Sequence, residues 1–212
     1  MEQDIETLPV TRRESRKQDR RQAIVDAART SFLEHGYAGT SMSGLLKTLG
    51  GSKATLWGYF RSKEDLFAAV VEEVSLQFRA EIQDVLATKA DLECTLIAFC
   101  RAFLRKITSP DGQATWRLVV AESGRFPEVG KIFHERAAQP VQGALQAFFA
   151  RQIASGALIE EDPAVMVEAL MGLCIGQHMR AIWGFERLND AEIDVYALRF
   201  THIFMRAYAR GT

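Results

Sequence analysis

Ser52-Lys53-Ala54-Thr55-Leu56-Trp57-Gly58-Tyr59-Phe60-Arg61-Ser62-Lys63 reads as a short helix, a stop, and the capped start of another helix. At 100° per residue, Leu56 and Phe60 share one face and anchor the short helix to a core. The opposite face carries Ala54, Thr55 and Gly58, all small, which lets it approach base edges closely. Lys53 and Trp57 flank one side; Thr55 leading to Tyr59 flanks the other. They supply a cation, an indole N–H and a phenol O–H where phosphates or bases would run alongside. A helix that only packs inside a protein has little use for that rim.

Working outward, Thr40 and Ser41 are N-cap types ahead of Met42 to Leu49, a helix of about two turns. Gly50-Gly51 supplies a sharp turn, and Ser52 caps the helix that follows. Two short helices joined through glycine are the layout of a helix-turn-helix. Arg20 to His35 forms a longer amphipathic helix with Ile24, Ala28 and Phe32 four apart, ended by Gly36. Ile24, Phe32, Leu45, Leu49, Leu56 and Phe60 make the expected core of a DNA-binding domain over residues 16–63. Its expected DNA-facing residues are Ser41, Ser43, Ser52, Lys53, Ala54, Thr55, Trp57, Gly58 and Tyr59. Residues 1–15 read as a disordered arm, and Arg12, Arg13, Arg16, Lys17, Arg20 and Arg21 as a basic stretch. Arg16, Lys17 and Arg20 are expected on phosphates or in a minor groove, and Lys63 is expected to reach a phosphate.

The run Ala27-Ala28, Phe32, Gly36-Tyr37, Thr40-Ser41-Met42, Gly50 to Phe60 and Ser62-Lys63-Glu64-Asp65-Leu66 resembles the head of a TetR-type transcriptional regulator. The match is ungapped over about fifty residues, far more specific than a bare helix-turn-helix pattern. Three positions depart from the family habit: Gly51 for a β-branched residue, Ala54 for Gly, and Trp57 for Tyr. Trp57 keeps a donor but places it differently, so no operator sequence carries over. Trp116 to Glu122, Arg125 to Glu128 and Phe133 to Arg136 are similar to the bodies of AefR-like members, over roughly residues 110–184.

Composition bounds the remainder. The 212 residues are 48% hydrophobic with five prolines and no strand-type alternation, which predicts an all-α chain of about nine helices: a three-helix head and a helical bundle over residues 64–212. The net charge of −1 hides an asymmetry. Residues 10–63 hold eleven Lys or Arg against Glu14, Asp19, Asp26 and Glu34, a surplus of seven, so the rest of the chain is acidic by eight. A basic end on an acidic body suits a protein that meets polyanionic DNA with one end. Met1 to Val10 is acidic, unlike a signal peptide, and Ala164 to Gly176 is too short for a membrane span. Three cysteines without metal spacing (Cys94, Cys100, Cys174) point to a reducing cytoplasm and small buried side chains. The four scattered histidines predict no metal, and no cofactor motif is present.

The segment from Ser62 to about Ala87 reads as a long helix tying head to body. Pro163 to about Gly184 and Asp190 to about Arg210 read as the last two helices. Gly172 and Gly176 allow close approach, and Ile193, Ala197, Phe200 and Phe204 form one stripe. These are expected to build a four-helix homodimer seam, because one recognition helix reads too few base pairs and two heads read a palindrome. Phe99, Phe103, Trp116, Phe133, Met166, Leu170, Cys174 and His178 are compatible with a cavity for a mainly apolar effector. Met171 and Trp183 add to that group, and Glu122, His134 and Arg180 are candidate polar contacts. The expected activity is that of a homodimeric repressor released by a small molecule. The rival reading is a helical binding module that no longer binds DNA. An enzyme is not expected, since no phosphate loop, nucleophile elbow or metal cluster is present.

Overall fold

Arg12 to Gln22 holds no Gly or Pro and consists mostly of Arg, Lys, Gln and Glu, all strong helix formers. The first helix, α1 (Arg12–Gly39), therefore begins well before the apolar stripe that marks its packed face. The computed structural model describes residues 12–50 and 52–210, and over them the secondary structure is helical, with no β-strand among the described residues. The basic residues from Arg12 to Arg21 thus stand on α1; residues 1–11 of the expected arm, none of them basic, and Gly51 lie outside the described residues. The chain divides into two compact units, Met1–Val70 and Val71–Thr212.

In the first unit α1 is broken at Gly36, whose φ of 73° is one that residues with a Cβ avoid. Thr40, expected only as a cap type, is buried; its hydroxyl donates to the Gly36 carbonyl at 2.9 Å and pairs with Ser31. The true cap of α2 (Met42–Leu49) is Ser41, whose Oγ accepts from Gly44 N at 3.0 Å. Such a cap is worth about 1 kcal/mol. Ser52 caps α3 (Lys53–Tyr59) through Thr55 N, and Ser62 caps α4 (Lys63–Ala87) through Asp65 N. Ile24, Ala28, Phe32, Leu45, Leu56 and Phe60 are buried as the periodicity requires; Leu49 is only half-buried. An aromatic cluster the periodicity did not reveal completes this core: Phe32, Tyr37 and Phe67, with ring centroids 5.1–5.7 Å apart. Because Leu66, Phe67 and Val70 are buried on the first turns of α4, the unit ends after Val70 rather than at Lys63.

In the second unit α5 (Leu92–Thr108) is the central helix, with Leu96, Phe99, Cys100 and Leu104 fully buried. The next helices are α6 (Pro110–Ser123) and α7 (Pro127–Phe133). A π-helical turn, His134–Ala138, then leads into α8 (Gln139–Ala154). Pro140 explains the wide turn: it has no N–H for the Arg136 carbonyl, which accepts from the Arg79 guanidinium instead, at 3.4 Å. Pro163 and the Asp162 cap start α9 (Pro163–Ile175). The sequence suggested one helix to Gly184, but after Gly172 the backbone switches to i→i+3 bonds (Gln177 N to Cys174 O, Met179 N to Gly176 O). A short α10 (His178–Ile182) follows.

The last helix, α11 (Asp190–Tyr208), starts at a reciprocal capping box between Asn189 and Glu192. It packs along α5 and α9. Its stripe Ile193, Ala197, Phe200 and Phe204 is buried in this unit's own core. That corrects the expected seam: the most regular apolar face of an amphipathic helix is taken by its own domain. Arg101–Asp194, Arg105–Asp190 and His202–Glu93 pairs, with the Thr201 hydroxyl donating to Cys100 Sγ at 3.8 Å, hold α11 against α5. Cys100 and Cys174 are buried as expected, whereas Cys94 is exposed at the start of α5, where the neighbouring Asp91 carboxylate pushes its thiol pKa up. Among the described residues no helix is long and apolar enough to cross a membrane.

Candidate nucleic-acid interface and effector cavity

Helix α3 is held from one side only. Leu56 and Phe60 are 2% and 5% exposed, whereas Lys53, Ala54, Thr55, Trp57 and Gly58 face outward. A Cβ on Gly58 would meet nothing within 4 Å, so nothing inside the protein requires glycine there. The Thr55 hydroxyl lies 2.8 Å from Ser52 Oγ and takes part in the cap, on a side chain that is exposed. Trp57 is 43% exposed, a large apolar surface with an N–H donor on a helix otherwise small and polar. Tyr59 is half-buried and, with Lys17, Gln18 and Arg21, lines a surface groove between α1 and the end of α3. Arg16 and Lys17 are exposed on α1, and Ser41 and Ser43 at the start of α2.

Two residues expected to reach phosphates are tied up within the head. Arg20 donates to the carbonyls of Leu49 (3.4 Å) and Gly50 (2.6 Å), satisfying the last turn of α2 and the reading-helix turn. Lys63 donates to the Tyr37 carbonyl at 2.9 Å and sits 4.1 Å from the centre of the Tyr37 ring. Sequence spacing brought these cations near the DNA-facing side but carried no sign of the carbonyls they serve. Lys63→Met is therefore expected to lower thermal stability by about 1.5 kcal/mol, the lower end for a charged hydrogen bond because the site is partly open. Unchanged melting combined with weaker binding to every DNA sequence would return Lys63 to the phosphate role.

The second unit encloses a cavity of about 180 Å³. Its lining combines short residues, Gly112 on α6 and Ala137 and Ala138 on the π turn, with aromatic ones. Glycine is needed at 112, because a Cβ would lie 2.0 Å from the Lys106 carbonyl oxygen. Of the expected pocket residues, Phe103, Trp116, Phe133 and His178 line this cavity, joined by Met171. Phe99, Met166, Leu170 and Cys174 do not; each is fully buried in the surrounding core. Glu122, His134, Arg180 and Trp183 are also absent from the wall. The sequence reading missed Val74, Ser75 and Phe78 of α4, and Lys106 and Ile107 of α5.

The wall is apolar with few polar atoms. Lys106 Nζ donates to the Val74 carbonyl at 2.8 Å. The rings of Trp116 and His178 stack 4.5 Å apart at 15°. Trp116 Nε1 and His178 Nδ1 are buried and lack any hydrogen-bond partner. Burial pushes the His178 pKa down to about 4, so its imidazole is neutral at physiological pH.

The family model for AefR-like transcriptional repressor C-terminal domains matches residues 94–210, and that for the TetR family of bacterial regulatory proteins matches residues 24–70. The HTH-type transcriptional repressor AcnR of Corynebacterium diphtheriae is 43% identical over 54 residues, 26% of this chain, and the chain spans only 28% of AcnR. The HTH-type transcriptional regulator BetI of Rhizobium meliloti is 28% identical over 201 residues, covering 91% of this chain and 90% of BetI. The solved structure of the flavonoid-responsive regulator FrrA superposes with a TM-score of 0.81 at 28% identity, covering 92% of this chain and all of that one.

Proposed function

The chain belongs to the TetR family, as a DNA-binding transcriptional regulator of the AefR-like repressor type, and from that premise we propose that it is a homodimer that grips a palindromic operator and releases it when a mainly apolar small molecule fills the cavity of the second unit. It is a regulator and not an enzyme. Its place of action is the cytoplasm, where the chromosome lies.

The observation that carries the DNA reading is the outward face of α3. Ala54, Thr55 and Gly58 leave room for base edges, while Lys53, Trp57 and Tyr59 stand at its sides. Arg16 and Lys17 add phosphate contacts from α1, and Ser41, Ser43 and Ser52 supply hydroxyls at the starts of α2 and α3.

Assembly is assigned to the faces of α9 and α11 that the unit's own core leaves open. On α9 and just beyond it these are Val165, Gly172, Ile175 and Met179; on α11 they are Val195, Leu198 and Ile203. A Cβ on Gly172 would meet nothing within 4 Å, so the small residue is available to an opposing helix. Two such helices side by side form a patch that a two-fold axis can close upon itself.

Release follows from linkage. Val74, Ser75 and Phe78 of the cavity wall belong to α4, which only three residues separate from α3. An effector that favours one position of α4 weakens DNA binding by the factor by which DNA weakens effector binding. Mobility shifts with genomic fragments at rising salt test the reading. Selective binding is expected whose log affinity falls linearly with log salt, by about 0.9 for each phosphate neutralised. Absence of any selective shift would favour the binding module.

A further inference from the structure

Two neighbouring arginines of α1 reach opposite ends of the reading helix. The Arg20 guanidinium donates to the Leu49 and Gly50 carbonyls, at 3.4 and 2.6 Å, in the turn that leads into α3. The Arg21 guanidinium stands 5.3 Å from the centre of the Phe60 ring, and Phe60 caps the other end of α3. Arg20 itself is firmly rooted, one helical turn before Ile24, which is buried in the core of the head. Helix α3 needs such support. Its seven residues are too few to hold a direction alone, and Leu56 and Phe60 are the side chains by which the core grips it. The chain approaches from Gly50, whose φ of 63° turns it sharply at the end of α2, where the last carbonyls lack helical partners.

We propose that Arg20 is a positioning residue for DNA recognition: without touching DNA it fixes the turn that aims α3, while Arg21 steadies the far end. A planar guanidinium forks across two adjacent carbonyls, and its positive charge suits the negative end of α2. Swinging it toward a phosphate would take that donor from both carbonyls. With the turn released, α3 shifts on its two apolar anchors, and its contacts with base edges fail first. Long, flexible side chains elsewhere on the head still follow the phosphates, which carry no sequence information. The assignment rests on α3 being the reading helix, and it adds the device that holds that helix in register.

Titration of the full chain over a range of salt against two duplexes, one selected from genomic fragments and a shuffled one of equal length, tests it. Arg20→Met is expected to weaken binding to the selected duplex at least about twentyfold and to the shuffled one by no more than about threefold, at an unchanged salt slope. The ratio of the two affinities does not depend on the fraction of protein folded, so lost stability alone does not produce this result. A slope shallower by about 0.9, with both duplexes weakened, makes Arg20 a phosphate contact and overturns the assignment. Equal weakening of both at an unchanged slope, or no weakening, overturns it as well and leaves Arg20 a structural group. If Arg20→Met does not fold, Arg20→Lys carries the test. Lysine keeps the charge but loses the fork, so a loss of selectivity of at least about threefold is expected, and full selectivity overturns the assignment. An unaltered chain that prefers neither duplex would remove α3 as the reading helix and the assignment with it.

Discussion

Gly58→Glu is expected to leave the protein folded and to reduce operator binding by at least about 100-fold. The position has a right-handed helical backbone, and a Cβ there has no neighbour within 4 Å, so no strain or clash follows inside the molecule. Glycine within a helix costs about 0.5–1 kcal/mol relative to Ala. A side chain recovers much of that, offset by a few tenths for a carboxylate near a helix C-terminus. Thermal melting should therefore change little, and Gly58→Ala should melt slightly higher. On DNA the effect reverses, because the new carboxylate projects from the face that must approach base edges and adds negative charge beside phosphates. Melting curves and mobility shifts on the same preparations separate the two effects. Retained binding by a folded Gly58→Glu protein would remove α3 from the interface.

Leu198→Glu is expected to convert a dimer into folded monomers and to lower operator affinity by several orders of magnitude, since each head then binds alone. Leu198 is 42% exposed, beside Val195 and Ile203, so within one protomer the change is a surface substitution worth about 0.5 kcal/mol or less. Buried in a seam, the same carboxylate is stripped of water and opposes its own symmetry mate. Phe200→Glu gives the contrast: that side chain is 7% exposed in its own core, and its replacement should unfold the protomer. Light scattering of the two variants distinguishes a seam at Leu198 from one at the Phe200 stripe. A Leu198→Glu protein that remains dimeric would move the interface elsewhere.

The recognition helix was legible because its residues obey local rules. Cap residues, a glycine turn and an apolar pair four apart fix Ser41, Ser52, Leu56 and Phe60 without long-range knowledge. The internal partners of Arg20 and Lys63 are not legible in the sequence, because they are backbone carbonyls 26 to 30 residues away, which no spacing encodes. The stripe of α11 was correctly found and wrongly employed. Periodicity identifies an apolar face but not whether the same chain or a second copy covers it. The open face mixes Val195, Leu198 and Ile203 with charged Asp194, Arg199 and Arg206, a weaker pattern. For the cavity, large apolar residues were the signal, and Phe103 and Trp116 are indeed in its wall while Phe99 and Leu170 fill the core beside it. The void depends as much on what is small, Gly112, Ala137 and Ala138, and on a π turn at Pro140 that registers only once the chain is folded.

The account rests on paired heads reading one duplex. Hydroxyl-radical footprinting of the full chain on a selected operator, with the stoichiometry of the complex measured by light scattering, tests that pairing most directly. Two protected half-sites of inverted sequence, centred about 10.5 base pairs or a multiple apart, with an even number of chains per duplex, are predicted. A single protected patch held by one chain would contradict it.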